Sequence, residues 1–193
     1  NAEAAKNADI IVVIVPMYVD DQGIPDYSIL ESVSRDIGSV LHAGQTVIYE
    51  TTLPVGATRS RLAPILTEVS GLKAGHDFHV VHSPERVFSG RVFADLKRYP
   101  KIIGGLTPSC GDIAKDFYQQ VLVFDDRPDL DRLNGVWDLG SVEAAEFAKL
   151  AETTYRDVNI ALANEFGDFA ERLNVDIHEI IDAANSQPFS HIH

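Results

Sequence analysis

Two hydrophobic rhythms alternate along this chain. Short unbroken apolar runs are followed by stretches in which apolar residues return every three or four positions. The first run, Asp9-Ile-Ile-Val-Val-Ile-Val-Pro16, is rich in β-branched residues. Such a run predicts a parallel strand covered on both faces. A helix tail over 2–7 precedes it and a turn-rich loop over 18–25 follows. Ile29, Leu30, Val33, Ile37, Val40 and Leu41 then predict an amphipathic helix from about Tyr27 to Leu41, with Gly44 as its C-terminal cap. The rhythm repeats with strands at Thr46–Glu50, Phe78–His82 and Lys101–Gly105, and helices at Thr58–Val69 and Pro108–Gln120. Pro108 suits a first helical position, with Thr107 as its cap. Strands alternating with helices predict right-handed crossovers and a parallel sheet.

Residues 124–140 are acidic and rich in turn formers, and read as the loop that closes a first unit. A longer pattern follows. Val142, Ala145, Ala148, Tyr155, Val158, Leu162, Phe166, Phe169 and Leu173 keep one stripe on a helix that begins near Ser141. At 1.5 Å per residue its roughly 30 residues would reach about 45 Å, a length that suits a connector between domains or a dimer spine. A final helix over Ile177–Ala184 has Asp176 as its cap. The expected boundary divides the chain into 1–123 and 124–193.

Composition narrows the classes of function. Hydrophobic residues make up 45% and charged residues 23%, which are ordinary globular values and exclude a disordered chain. The longest apolar run, Ile10–Met17, is far below the roughly 18 residues that cross a bilayer, and the first residues carry no signal-peptide pattern. With 16 basic against 29 acidic residues the net charge is −13. A chain so acidic repels nucleic acid and anionic membrane, so neither is expected as a partner. An anionic substrate would have to be held by local cations: Arg59 with Arg61, Arg86 with Arg91, Lys97 with Arg98, or Lys149 with Arg156. The single cysteine, Cys110, excludes an internal disulfide framework and fits a reducing cytoplasm.

In an open α/β sheet, ligands bind at the carboxyl ends of the strands. The loops over 16–25, 51–56 and 83–90 are therefore the places for chemistry. No Gly-x-Gly-x-x-Gly turn, P-loop or Gly-x-Ser-x-Gly elbow is present in the sequence. Thr51 and Thr52 either orient a water or a ribose, or serve as turn and capping residues. Glu85 is either a base beside a reacting water or a solvated loop acid. Lys149, Thr153 and Arg156 stand at i, i+4 and i+7, on one helix face. They bind a pyrophosphate or an oxyanion, or form a wet face with a Glu152–Arg156 pair. Asn159 and Asn164 lie near that side. His79 and His82 point to opposite faces of one strand, which with His76 is poor geometry for a metal, and no metal site is expected. His191 and His193 read as the dull end of the chain, and Cys110 as an ordinary structural thiol.

Several motifs together carry a resemblance. They are Ala8–Pro16, Glu50-Thr-Thr-Leu-Pro-Val-Gly56, Ser83-Pro-Glu-Arg-Val87 with Gly90, Lys101-Ile-Ile-Gly-Gly105, Ala145-Glu-Phe-Ala-Lys-Leu150, Tyr155-Arg-Asp-Val-Asn-Ile-Ala161 and Asn164-Glu165. In order and spacing the set resembles the UDP-glucose/GDP-mannose dehydrogenase family over nearly the whole chain. The resemblance implies the second half of a Rossmann-like doubly wound α/β domain, followed by a long-helix central dimerisation domain. It implies an NAD-dependent oxidation of a UDP-sugar at C6, through an aldehyde and a cysteine thioester, to a uronic acid. It also implies a cytoplasmic homodimer. By motif, Thr52 would orient the water, Glu85 would be the acid/base of thioester hydrolysis, and Lys149 would stabilise the oxyanion. Val15, Pro16, Met17, Tyr18, Val19, Thr51, Thr52 and Leu53 would line the NAD site. Glu85, Arg86, Val87, Phe88, Ser89, Lys149, Thr153 and Arg156 would touch the sugar nucleotide.

The departures point to a branch. Ser89 stands where the glucose-type enzymes have a second glutamate, and Thr153 where the family usually has asparagine. Ser-Pro-Glu-Arg-Val looks more like the branch that oxidises UDP-N-acetylhexosamines such as UDP-N-acetylmannosamine. The family's dinucleotide turn is expected before residue 1 and its nucleophile-cysteine loop after residue 193, so this chain alone is expected to be inactive. Two other readings compete: a non-catalytic dimerisation or sugar-nucleotide binding module, and a 3-hydroxyacid dehydrogenase.

Overall fold

The computed structural model describes residues 2–189 and 191–193. It divides into two compact units, Asn1–Lys149 and Leu150–His193. In the first unit the elements run α1 (Ala2–Lys6), β1 (Ile10–Val13), β2 (Tyr18–Val19), β3 (Pro25–Asp26), α2 (Ser28–Gly38) and β4 (Thr46–Tyr49). They continue with α3 (Ala63–Ser70), β5 (His79–His82), α4 (Val92–Arg98), β6 (Lys101–Gly105), α5 (Pro108–Val121) and β7 (Val136–Asp138). Helix α6 (Val142–Leu173) starts in the first unit and ends in the second, which also holds α7 (Ile177–Asn185).

The main sheet has the order β1-β4-β5-β6-β7. Strands β1, β4 and β5 are parallel, as the alternation of strands and helices predicts. Strand β6 is not: it runs antiparallel to β5, and β7 runs parallel to β6. The connection explains the reversal. Only the seven-residue α4 lies between β5 and β6, so the chain turns back without a full helical crossover. The 14-residue α5 supplies such a crossover between β6 and β7.

Alternation along the strands makes two cores. Val47, Tyr49 and Val80 point to one face, where Leu30, Ile37, Leu62 and Leu66 of the helical layer cover them. Ile48, Val81 and Ile103 point to the other, against Cys110, Ala114 and Tyr118 of α5. Strand β1 departs from the expectation of cover on both faces: Val13 is buried, but Val12 is 40% exposed.

Other expectations need correcting. The first long helix ends at Gly38, and Gly44, at φ 89°, serves the turn before β4 instead of capping it. The helix expected from Thr58 begins as a π-helical turn, Thr58–Leu62, and becomes α-helical at Ala63. Pro64, with no N–H to donate, stands where the register changes. Thr107 has the extended backbone of an N-cap, but its side chain accepts no cap bond from the helix N–H groups; its hydroxyl lies 3.0 Å from Ser109 Oγ and 3.1 Å from Cys110 Sγ. The segment 124–140 contains β7, whose three residues are too few to show a hydrophobic period.

In the second unit, the Asp176 carboxylate caps α7 by accepting from His178 N at 2.8 Å, as expected. Asn159 holds the end of the chain, donating to the His191 carbonyl at 2.6 Å and accepting from His193 N at 2.9 Å. Among the described residues no helix is long and apolar enough to cross a membrane.

Candidate active site

Strands β4 and β5 are parallel neighbours, so the loops that leave them start side by side at the carboxyl edge. Backbone bonds weld them together. Ser83 N donates to the Tyr49 carbonyl at 2.9 Å, and Glu85 N to the Glu50 carbonyl at 3.1 Å. On the other side Glu50 N donates to the Val13 carbonyl at 3.0 Å, which ties in the loop leaving β1. All three loops singled out by the sequence thus meet at one edge.

The β4 loop divides its roles by residue. The Thr51 hydroxyl donates to the Val15 carbonyl at 2.5 Å, fastening this loop to the next. Leu53 is fully buried in the core and anchors the loop from below. Thr52, between them, is half-buried at the surface of the edge. Of the other residues expected to line NAD, Val15 and Met17 are half-buried, while Pro16, Tyr18 and Val19 are exposed. Tyr18 and Val19 form β2, paired with Pro25 and Asp26 of β3.

The β5 loop presents a carboxylate. Glu85 Oε1 accepts from Arg86 N at 2.5 Å and Val87 N at 2.8 Å, so this oxygen is fixed by its own loop. Oε2 faces the Lys101 ammonium at 4.0 Å, and the side chain is 40% exposed. Arg86 donates to the Pro100 carbonyl at 3.3 Å. Phe88 N donates to Asp95 Oδ2 at 3.0 Å, and Arg91 donates to Asp95 Oδ1 at the same distance. Asp95 is buried and pins the loop, leaving the Phe88 and Ser89 side chains exposed.

Lys149 is half-buried on α6, one turn beyond Glu146. Glu146 is fully buried, and its carboxylate accepts from Gly56 N at 2.6 Å and Thr58 N at 2.8 Å. Burial pushes its carboxyl above the usual range, against the pull of those donors. One turn earlier, Glu143 accepts from Arg59, which lowers the Glu143 carboxyl. These two acids clamp the first turns of α6 onto the segment that follows Thr52. The same helix spacing brings Lys149 to the side of α6 that carries Glu146.

Thr153 and Arg156 belong to the second unit. The Thr153 hydroxyl donates to the Leu150 carbonyl at 3.2 Å, and Arg156 lines an open groove with Thr153, Thr154, Asp157 and Ile160.

Sequence reasoning missed the residues behind the edge. Lys101 is buried and lies 2.6 Å from Glu50 Oε1, to which the Tyr118 hydroxyl also donates at 2.5 Å. The available signal was a lysine opening an otherwise apolar strand, Lys101-Ile-Ile. Glu146 also stood within reach, as an acid beside Ala145 on the apolar stripe. His82 is fully buried with no hydrogen-bond partner for either ring nitrogen among the described residues. Burial, helped by Lys101, pulls its pKa from 6.5 to about 3. No group of three metal-ligating side chains occurs among the described residues.

Pro16, Tyr18 and Val19 offer exposed apolar surface on the loop after β1, and Thr52 stands half-buried on the loop that Thr51 fastens to it. Nothing in the sequence offers a glycine-rich cradle for the pyrophosphate.

An open, mainly parallel sheet with helices on both faces and ligand loops at its carboxyl edge defines a nucleotide-binding class of α/β protein. The chain belongs to the UDP-glucose/GDP-mannose dehydrogenase family: residues 1–122 match its NAD binding domain and residues 143–193 its central domain. It is 39% identical over 188 residues to the UDP-N-acetyl-D-mannosamine dehydrogenase of Pyrococcus horikoshii, covering 97% of this chain and 41% of that protein. It is 34% identical over 185 residues to a UDP-N-acetyl-D-glucosamine 6-dehydrogenase of Salmonella typhi, covering 96% and 41%. The solved structure of the Pyrococcus horikoshii UDP-D-ManNAc dehydrogenase superposes with a TM-score of 0.87 at 35% identity, covering all of this chain and 43% of that one. A ternary complex of GDP-mannose dehydrogenase from Pseudomonas aeruginosa gives 0.83 at 26% identity, covering 96% and 41%. The chain therefore spans about two fifths of the length of these relatives. Membership confirms the resemblance carried by the motifs, makes NAD the cofactor, and sets aside the 3-hydroxyacid dehydrogenase reading.

Proposed function

We propose that the whole protein oxidises the C6 hydroxyl of a UDP-N-acetylhexosamine to a carboxylate in two successive oxidations. NAD supplies the acceptor for the hydride lost in each. Pro16, Tyr18 and Val19 hold the flat ring, and Thr52 orients a water beside it. Lys149 stabilises the oxyanion that develops at C6. In the last step the C6 thioester, formed on a cysteine outside this chain, is hydrolysed. The water oxygen bonds to C6, its proton passes to Glu85 Oε2, and the C–S bond breaks to release the thiolate. Phe88, Ser89, Arg86, Val87, Thr153 and Arg156 contact the sugar nucleotide.

One observation carries this reading: Glu85, 40% exposed, has one oxygen tied down by two backbone N–H groups and the other without such a bond, 4.0 Å from the Lys101 ammonium, on a loop bonded to the one that holds Thr52. A solvated loop acid needs no such fixing. The N-acetyl branch is supported by the names of the relatives and by Ser89 at the position of the glucose-type second glutamate.

We also propose a homodimer built on α6. Tyr155, Val158, Leu162, Phe166, Phe169 and Leu173 are all exposed along one helix in the single chain. A soluble protein covers so long an apolar stripe. A thiol-dependent reaction suits the reducing cytoplasm. The residues described here lack a pyrophosphate cradle and a nucleophilic cysteine at the edge, so this chain alone is expected to be inactive.

The test is stoichiometry. The whole protein, given excess NAD and limiting UDP-N-acetylmannosamine, should yield two NADH per sugar and a uronic acid. One NADH per sugar, with an aldehyde as product, would refute the reading.

A further inference from the structure

Behind the catalytic edge lies a buried charge relay that the proposed reaction does not yet use. Lys101 opens β6, and because β6 runs antiparallel to β5 its first residue returns to the carboxyl edge of the sheet. Its side chain is only 7% exposed, and its ammonium stands between two carboxylates, 2.6 Å from Glu50 Oε1 and 4.0 Å from Glu85 Oε2. The ring of Tyr118 floors it, with the ammonium 4.8 Å from the ring centre, while the Tyr118 hydroxyl donates to the same Glu50 oxygen. Glu50 is therefore neutralised and fixed twice over. The Glu85 backbone is bonded to the Glu50 carbonyl, so the two acids move as one piece.

The asymmetry of Glu85 gives this arrangement a purpose. Oε1 is spent on Arg86 N and Val87 N, which leaves Oε2 as the oxygen that can meet a substrate water. The Lys101 ammonium is the cation beside that oxygen. With Oε1 held by two N–H groups, the freedom left to this 40% exposed carboxylate is the swing of Oε2 about that anchor. Attraction to a buried ammonium restrains it, and Glu50 keeps that ammonium too far back to close a tight ion pair that would block the working oxygen.

We propose that Lys101, held by Glu50 and Tyr118, is a positioning residue that aims Glu85 Oε2 at the water of the hydrolytic step. The inference rests on the proposed two-step oxidation and adds a residue to it. Lys101 touches neither sugar nor cofactor in this account, so its removal should spare the hydride steps.

The experiment is rapid-mixing kinetics on the whole protein, comparing the wild type, Lys101→Met with Glu50→Gln, and Lys101→Arg. The double variant removes both buried charges together and so leaves no unpaired ion. It should still give a fast burst of two NADH per active site, followed by steady turnover about 10²-fold slower, the size expected for a misaimed catalytic group. Lys101→Arg keeps a cation and should retain steady turnover within about 10-fold of the wild type. If burst and steady phases fall together in the double variant, or if neither changes, Lys101 is structural and the proposal is overturned. If the double variant does not fold, Lys101→Arg decides alone. A steady phase within about 10-fold of the wild type with an unchanged burst supports the proposal, and a steady phase slowed more than that, or a slowed burst, overturns it. A wild type that gives one NADH per sugar would instead refute the underlying reaction, a result separable from either outcome for Lys101.

Discussion

Glu146 shows how one side chain can serve both architecture and chemistry. A buried carboxylate is costly unless its oxygens are satisfied, and Gly56 N and Thr58 N satisfy both of them. Glu146→Gln replaces one acceptor with a donor that faces an N–H group. The expected loss is about 1–3 kcal/mol of stability, read as a lower midpoint in urea unfolding. His82 makes a second prediction. Its pKa in the folded state, about 3, lies below the ordinary 6.5, so below pH 6.5 the unfolded chain takes a proton that the folded chain refuses. Its contribution is therefore at its most favourable above pH 6.5 and declines as pH falls towards 3, by about 1.4 kcal/mol per pH unit. His82→Leu should flatten the acid side of the stability profile, and an unchanged acid slope in that variant would show that His82 is not the cause. Neither residue was legible as such in the sequence. His82 reads as half of a His-Val-Val-His strand, and only the fold reveals that its ring has no hydrogen-bond partner among the described residues.

At the scale of elements, the seating of α6 on the sheet decides where Lys149 can reach. Gly104 permits that seating, because a Cβ there would lie 1.9 Å from the Ser141 carbonyl oxygen. Gly104→Ala must push the start of α6 away from β6. It should cost about 1–3 kcal/mol and lower kcat through displacement of Lys149, both measurable on the same preparation. An active variant of unchanged stability would contradict the packing described. Much at this scale was readable beforehand. Apolar runs placed β1, β4, β5 and β6, the 3.6-residue stripe placed α2 and α6, and capping residues placed α5 and α7. The misses have a common physical source. The reversal at β6 depends on what a connection cannot span, and the π-helical turn at Thr58–Leu62 depends on contacts made far along the chain. A three-residue strand such as β7 is held by β6 and not by any pattern of its own.

For the whole molecule, the exposed stripe on α6 makes a prediction about assembly. Val158 and Leu162 are 62% and 46% exposed in the single chain. If they meet a second copy, the double substitution Val158→Glu and Leu162→Glu should convert a dimer to a monomer in light scattering, while the wild type stays dimeric. A wild-type monomer would end that proposal. The candidate edge could be proposed from the sequence because two of its loops carry distinctive residues, Thr51-Thr52 and Ser83-Pro-Glu85, and Lys149 stands on the helix packed beside them. Its support could not, because Glu50 meets Lys101, and Glu146 meets Gly56 and Thr58, only when sheet order and register are fixed. The claim on which the account stands is that Thr52, Glu85 and Lys149 serve one carbon atom. The direct measurement is a crystal structure of the whole protein with NAD and a UDP-N-acetylhexosamine. The Thr52 hydroxyl, Glu85 Oε2 and the Lys149 ammonium should all gather around the sugar C6, within hydrogen-bond reach of it or of one intervening water. A sugar whose C6 lies away from any one of the three would contradict it.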